Sequence, residues 1–356
     1  MPKKILLICG SLNQTTQMHQ IAQELSDHDL FFTPYYGDFF LSLARRLNLA
    51  EFTVMGRKLS SRCLEYLNQH RLPLDVEGCS RDYDLTLTCS DLVIPKNILK
   101  KKIVLVQEGM TDPENLAYHI VKRVPILPRW LGSTAATGLS NAFTVFCVAS
   151  EGYRELFIKK GVKPKKIVVT GIPNFDNCAR FLKNDFPFKG FVLVCTSDTR
   201  ETFKYDNRKR FIDRAVSVAA GRQLIFKLHP NENVDRSIRE IRAIAPGALV
   251  YSEGSAEEMI ANCDVLITQY SSTAFVGIAL GKEVHSYFDA NDLRKLMPIQ
   301  NNCAAKNIAA VCRGVLKASQ AYQCRKSEYG DGLIVQTASG SYAYENACCS
   351  SGQNKL

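Results

Sequence analysis

The sequence predicts an α/β protein, because short apolar runs alternate with helical patterns along most of its 356 residues. The apolar runs are continuous, which is typical of parallel strands covered on both faces. The alternation stops near residues 174–190, where Pro and Gly separate two regular regions, and then restarts. These three observations predict two doubly wound, Rossmann-like domains that face each other across a cleft.

In the first half, buried strands are predicted at KKILLICG, DLTLTCSDLVIP, KKIVLVQEG, AFTVFCVAS and KKIVVTGIPNFD. The helix-like run MHQIAQEL follows the first of them. Ser150 is placed to cap the helix EGYRELFIKKG, and Gly161 is placed to end it. This order of strands and helices predicts a parallel sheet over residues 1–178.

The second half repeats the pattern after the linker. Strands are predicted at GFVLVCTS, QLIFKLHP, ALVYS, DVLITQ and KEVHSYF, and helices at RKRFIDRAVSVAAG, SIREIRAIAP, SAEEMIANC and TAFVGIALG. We assign the second domain to residues 188–316. Residues 317–356 turn polar and are expected to end in a loose tail.

The composition excludes several function classes. The net charge of +10 favours phosphate-bearing ligands or an anionic membrane face, but the basic residues are not concentrated as in a nucleic-acid-binding protein. Thirteen cysteines, many in apolar strands, are typical of a reducing cytoplasm. Without a signal peptide or a spanning apolar run, we expect a cytoplasmic protein that contacts the inner membrane face peripherally at most. No CxxC pair supports a metal site, and the GxGxxG and GKS motifs are missing, so neither a metal nor a dinucleotide cofactor is expected.

The stretch DVLITQYSSTAFVGIALGKEV places hydroxyl groups where a strand becomes a helix. Ligands of open α/β sheets bind at the carboxyl ends of strands, where helix N–H groups attract phosphate. Ser271, Ser272 and Thr273 are therefore candidates to bind the phosphates of a nucleotide donor. The alternative is that these side chains only cap the helix.

Two other strand ends of the second domain carry polar side chains. His229, in KLHPNEN, is a candidate to donate to phosphate oxygens, or else to hold its loop. In CTSDTRET, Ser197, Thr199 and Arg200 offer hydroxyls and a guanidinium suited to phosphate, or else form a capped turn with a surface arginine.

Glu108 follows the strand IVLV in the first half. A carboxylate at a strand end in a cleft is a candidate general base, although an isolated one is usually only solvated.

The segment from about 145 to 290 resembles the GT-B superfamily. The run KLHPNEN, followed by CDVLITQYSSTAFVGIALGKEV, is similar to the donor half of CDP-glycerol glycerophosphotransferases and capsule-type glycosyltransferases. The stretch CVASEGYRELFIKKGVKPKKIVVTGIPNFD, with Ser150, Gly171, Pro173 and Asp176, also resembles UDP-N-acetylglucosamine 2-epimerases.

The resemblance implies a transferase that moves a glycosyl or polyol-phosphate group from a UDP- or CDP-linked donor to an envelope glycan or lipid-linked acceptor. It implies that Glu108 is the base and that His229 and the Ser271–Thr273 turn hold the phosphates. The sequence departs from the pattern at Gln269, where an Asp is usual, and at Val276, near a usual ribose-binding acid. A UDP-sugar 2-epimerase and a non-catalytic nucleotide-sugar-binding module remain as alternatives.

Overall fold

The computed structural model describes residues 1–37, 57–124, 126–201 and 205–328. It contains two parallel sheets flanked by helices, as the sequence predicts. The first sheet has the order β2-β1-β3-β4-β5-β6, with every neighbouring pair parallel. Its strands are β1 (Lys4–Cys9), β2 (Asp29–Pro34), β3 (Leu85–Thr88), β4 (Ile103–Val106), β5 (Val145–Val148) and β6 (Ile167–Val169).

The helices of this half are α1 (Leu12–Gln23), α2 (Arg57–Gln69), α3 (Leu116–Arg123) and α4 (Glu151–Lys160). A 3-10 segment, Arg129–Ala136, follows α3. The predicted limits of α4 are confirmed, because the Ser150 hydroxyl accepts the Tyr153 N–H and Gly161 ends the helix at φ 112°. The prediction of α1 started too late, since Ser11 caps this helix and it begins at Leu12.

The second sheet has the order β11-β10-β7-β8-β9 and is also parallel. Its strands are β7 (Phe191–Cys195), β8 (Leu224–Lys227), β9 (Leu249–Tyr251), β10 (Cys263–Thr268) and β11 (Glu283–His285). The helices are α5 (Arg208–Ala219), α6 (Val234–Ile244), α7 (Ala256–Asn262), α8 (Thr273–Ala279) and α9 (Ala290–Leu296). Because β7 pairs with β10 on one side and β8 on the other, the strand order reverses between β7 and β10.

The last described helix, α10 (Ala304–Glu328), returns to the first sheet. Ile308, Cys312 and Val315 lie in one buried cluster with Ile5 and Leu7 of β1. The sequence assigns residues 188–316 to the second domain, but residues 304–316 pack with the first, because the apolar side of α10 lies in the buried cluster of the first sheet. The helix also extends to Glu328, inside the segment predicted as a polar tail. Residues 329–356 lie outside the described part of the chain.

The motif residue Asp176 fixes the start of this returning helix. Its carboxylate accepts the Ala304 N–H at 2.7 Å, and its carbonyl accepts the Asn302 N–H at 3.1 Å. Burial raises the pKa of this carboxyl group. Gly171, at φ 82°, lies where an added Cβ would come within 3.0 Å of the Ala304 side chain. The GIPNFD motif therefore links the two domains to the returning helix.

Candidate functional site

The predicted phosphate-binding residues flank the point where the second sheet reverses its strand order. Ser197 and Thr199 follow β7, and the turn from Ser271 to Thr273 follows β10. A reversal of strand order leaves a crevice between the two loops, and this is where open α/β sheets bind ligands. The topology thus brings together two loops that lie about 70 residues apart in the sequence.

In the first domain, Glu108 is half-buried and held by side chains at the start of α1. Its Oε1 accepts the Ser11 hydroxyl at 2.8 Å, and its Oε2 accepts the Gln14 amide at 2.6 Å. Gly10 makes this approach possible, because a Cβ there would lie 2.0 Å from Gln14 Oε1. Both donors are neutral, so the carboxylate is oriented without an ion pair to either. Glu108 is therefore a positioned group and not a freely solvated one.

The two predicted sites meet across the cleft. Ser272 Oγ accepts the Met110 backbone N–H at 2.9 Å, two residues after Glu108. An added Cβ on Gly109 would lie 2.7 Å from the same Ser272 oxygen. The general-base candidate and the hydroxyl-rich turn consequently lie on facing loops in direct contact.

The capping alternative holds in part for this turn. Ser271 Oγ accepts the Thr273 N–H at 3.3 Å and the Thr273 hydroxyl at 2.9 Å. Ser272 makes no side-chain cap to α8 and faces the first domain instead. The hydroxyl oxygens of Ser271 and Ser272 both accept hydrogen bonds here. Each hydroxyl can therefore still donate its proton in a hydrogen bond to a phosphate.

His229 is oriented by the loop that it begins. The Asn231 N–H donates to His229 Nδ1 at 3.2 Å, which assigns the proton of a neutral ring to Nε2. The His229 backbone N–H donates to Glu232 Oε2 at 2.9 Å, and the side chain of His229 is 37% exposed. Nε2 of a neutral ring is thus a donor on a partly exposed side chain, and Asp198 Oδ2 lies 3.7 Å from the other ring nitrogen, Nδ1.

A buried ionic network supports this loop, and sequence reasoning missed it. Glu232 pairs with Arg208, and Arg208 Nε lies 3.2 Å from Asp206 Oδ2. Glu232 and Arg208 are both buried. Charges this deep require partners, so the network fixes the loops after β7 and β8 to each other. The Glu of KLHPNEN, three residues after His229, was the only sequence feature that pointed to it.

Arg200 belongs to the same network rather than to the open crevice. Its Nη1 donates to Glu240 at 2.8 Å, and its Nε lies 3.6 Å from Asp206. Burial acts to lower the pKa of Arg200, but the hydrogen bond and charge of Glu240, with Asp206, raise the pKa overall. In this arrangement the guanidinium stabilises the loop, and the phosphate contact predicted for it stays a prediction.

Gln269, the first departure from the family pattern, has a structural role. It is buried, its Oε1 accepts the Ser197 hydroxyl, and its Nε2 donates to Asp206 at 2.8 Å. Ser197 Oγ also lies 2.5 Å from Thr199 Oγ1. A neutral amide fits beside the Asp206 carboxylate, where a second carboxylate would be repelled.

Val276, the second departure, lies in the hydrophobic core and is 1% exposed. A ribose-binding acid at this position of α8 would be buried without contact to the crevice. Within the described residues, no group of three or more His, Cys, Asp or Glu side chains is arranged to hold a metal ion. No helix in the described ranges is long and apolar enough to span a bilayer.

The fold is of the GT-B type found in solved nucleotide-sugar enzymes. A candidate UDP-N-acetylglucosamine 2-epimerase from Listeria monocytogenes aligns with a TM-score of 0.56 and 11% identity over 94% of this chain and 100% of that one. The UDP-GlcNAc 2-epimerase from Neisseria meningitidis, bound to UDP-GlcNAc, aligns with a TM-score of 0.53 and 12% identity over 90% of this chain and 93% of that one. The wall teichoic acid polymerase TagF aligns with a TM-score of 0.51 and 11% identity over 90% of each chain.

No family model matches the sequence. No curated protein matches it either. At identities of 10–12% the structural likeness establishes the fold alone, and the activity has to be argued from the site.

Proposed function

We propose that this protein is a GT-B transferase that moves a glycosyl or polyol-phosphate group from a UDP- or CDP-linked donor to an envelope glycan or lipid-linked acceptor. The observation that carries the proposal is the contact between Met110 and Ser272 at 2.9 Å. It brings the loop of an oriented carboxylate against the hydroxyl-rich turn of the opposite domain. A reaction that removes a proton beside a departing phosphate needs these two groups on facing loops.

The donor binds in the crevice of the second domain. Its phosphates accept hydrogen bonds from His229 Nε2 and from the hydroxyls of Ser271 and Ser272, with Thr273 and the Ser197–Thr199 pair beside them. Negative charge grows on the nucleotide as it departs, and preorganised donors in a half-closed cleft stabilise that charge. The Glu232–Arg208 pair contributes by fixing the loop that presents His229.

The acceptor binds on the side of the first domain. Glu108 takes the proton from the acceptor hydroxyl. The oxygen of that hydroxyl bonds to the donor carbon, or to phosphorus when a polyol phosphate is transferred. The bond between the transferred group and the nucleotide breaks at the same time. Ser11 and Gln14 hold both carboxylate oxygens, so the base does not have to be ordered during the reaction.

A UDP-sugar 2-epimerase is the second candidate. It is favoured by Glu108, since epimerisation also needs a positioned base, and by the UDP-GlcNAc 2-epimerases with the same fold. The transferase is favoured by the Tyr270-Ser271-Ser272 turn and by the TagF polymerase, a structure of which was obtained with a CDPG soak.

Product analysis with a panel of nucleotide-linked donors separates the candidates. Glycosyl transfer releases a nucleoside diphosphate, and glycerol-phosphate transfer from CDP-glycerol releases CMP, each only when acceptor is present. An epimerase converts UDP-GlcNAc to its 2-epimer without an acceptor. Acceptor-dependent nucleotide release that is lost in Glu108→Gln supports the transferase, whereas an acceptor-independent epimer refutes it. Donor binding without any product would leave a nucleotide-sugar-binding module.

A further inference from the structure

An apolar surface with basic residues lies on the first domain, outside the donor crevice. It consists of the exposed side chains of α3 and of the segment that follows, namely Leu116, Ile120, Val124, Ile126, Trp130 and Leu131. Ile126 is 90% exposed, Leu116 is 76% exposed, and the other four are 40–44% exposed. We refer to these six residues as the α3 surface.

Packing shows that the α3 surface is continuous and outward-facing. Tyr118 and Val121 are the buried side of α3, whereas Leu116, Ile120 and Val124 recur every four residues on the other side. The 3-10 segment packs against α3 so closely that a Cβ on Gly132 would lie 3.5 Å from Tyr118 Cα. Trp130 and Leu131, which precede Gly132 and are partly exposed, therefore lie beside α3 on the same domain.

The charge of this region selects its partner. Between residues 116 and 131 the sequence has Lys122, Arg123 and Arg129 and no Asp or Glu. Lys122 and Arg123 are exposed in the last turn of α3. Apolar side chains, a tryptophan and flanking cations are the combination that binds the interface of an anionic bilayer.

We propose that the α3 surface docks this protein on an anionic lipid bilayer. Leu116, Ile120, Val124 and Ile126 enter the headgroup boundary, Trp130 lies at the interface, and Arg123, three residues after Ile120 on the helix, faces lipid phosphates.

The α3 surface is connected to the loop that carries Glu108. Asp112, four residues after Glu108, is held by Ser133 and Thr134 of the 3-10 segment, and the Asp112 N–H donates to Thr134 Oγ1 at 2.8 Å. The loop of the proposed base and the α3 surface are thus one connected unit. If the proposed transferase activity holds, a lipid-linked acceptor anchored in the same bilayer would reach Glu108 from this side.

Trp130 is the only tryptophan in the sequence, so its fluorescence reports on this surface alone. Vesicles of phosphatidylcholine with phosphatidylglycerol should bind the full chain and shift the Trp130 emission to the blue. Brominated acyl chains in the same vesicles should quench it. Vesicles of phosphatidylcholine alone should bind at least about tenfold more weakly, since each cation near an anionic surface contributes roughly fivefold.

Two variants and a control assign the binding to the α3 surface. Ile120→Ser combined with Ile126→Ser removes exposed apolar area and should weaken vesicle binding by about tenfold or more. Lys122→Gln combined with Arg123→Gln should weaken binding to anionic vesicles by about tenfold or more and make the remaining binding less sensitive to salt concentration. Leu182→Ser combined with Val216→Ser changes exposed apolar residues elsewhere and should leave binding unchanged.

Three results would overturn the proposal. The first is that the unaltered protein does not bind anionic vesicles. The second is that it binds them but Trp130 is not quenched. The third is that vesicles do not bind and the protein instead forms a concentration-dependent dimer, which the Ile120/Ile126 variant abolishes. The measurement uses no nucleotide, so it can fail without affecting the proposed transferase, and the transferase can fail while vesicle binding stands.

Discussion

Glu108 is the residue on which the proposed chemistry depends, and its surroundings decide between a base and a solvated carboxylate. Both oxygens accept hydrogen bonds, from Ser11 and Gln14, residues 97 and 94 positions earlier in the chain. The sequence showed a carboxylate at a strand end but could not show these partners, because they come from the start of α1, far away in the chain.

Glu108→Gln keeps the shape of this side chain and removes its ability to accept a proton. General-base catalysis typically contributes about 10²–10⁴-fold, so turnover should fall by that factor. Donor affinity should stay within roughly threefold, because the base contacts the acceptor. Steady-state kinetics and donor calorimetry on both proteins measure this. Unchanged turnover would make Glu108 a structural residue, and loss of donor affinity would make it a binding residue.

Arg200 and Gln269 mark the limit of residue-level prediction. The sequence places Arg200 next to two hydroxyls at a strand end, and this is a reasonable phosphate site. The structure pairs it with Glu240, forty residues later, and with Asp206. Ion pairs between such distant residues leave no local pattern in the sequence, so neither this pairing nor the role of Gln269 could be predicted.

At the scale of elements, the loops after β4 and β10 contact each other across the cleft. Most strands of both sheets could be predicted because continuous apolar runs are characteristic of strands buried on both faces. The edge strand β2 was missed, since Asp29–Pro34 has an exposed start and ends in proline. The Met110–Ser272 contact joins residues 162 positions apart and could not be read from either loop alone.

Gly109→Ala tests this contact. The added methyl group would lie 2.7 Å from Ser272 Oγ, so the Ser272 hydroxyl has to rotate away or a loop has to move, and the Met110–Ser272 hydrogen bond lengthens or breaks. Turnover should fall by about tenfold or more, because misplacing facing groups by about an ångström is costly to catalysis. Gly247→Ala is the matched control, since nothing lies within 4 Å of its Cβ position.

Kinetics on the two glycine variants, with thermal unfolding to confirm that both fold, provide the measurement. Full activity in Gly109→Ala would mean that the facing loops do not have to touch for the reaction.

At the scale of the whole molecule, α10 connects the end of the described chain to its beginning. The sequence analysis predicted neither this helix nor the sheet on which it packs, because an apolar face fits either domain equally well in a linear pattern. The structure places Ile308 in the cluster that contains β1, with no exposed surface.

Ile308→Ala should therefore destabilise the first domain. Truncating a buried isoleucine typically lowers the free energy of unfolding by about 2–5 kcal/mol. Lys306→Ala, an exposed position on the same helix, should change it by less than about 0.5 kcal/mol. Denaturant titration of the three proteins measures both effects, and equal stability would show that α10 does not contribute to the first core.

The central claim is that a nucleotide donor binds with its phosphates at the hydroxyl-rich turn of the second domain. Calorimetric titration of UDP and CDP into the unaltered protein and into Ser271→Ala/Ser272→Ala tests it most directly, with the exposed Ser217→Ala as control. Loss of two hydrogen bonds to charged phosphates should weaken binding by roughly 2–5 kcal/mol in the double variant and not in the control. Equal affinity in all three proteins, or no binding of either nucleotide to the unaltered protein, would contradict the claim.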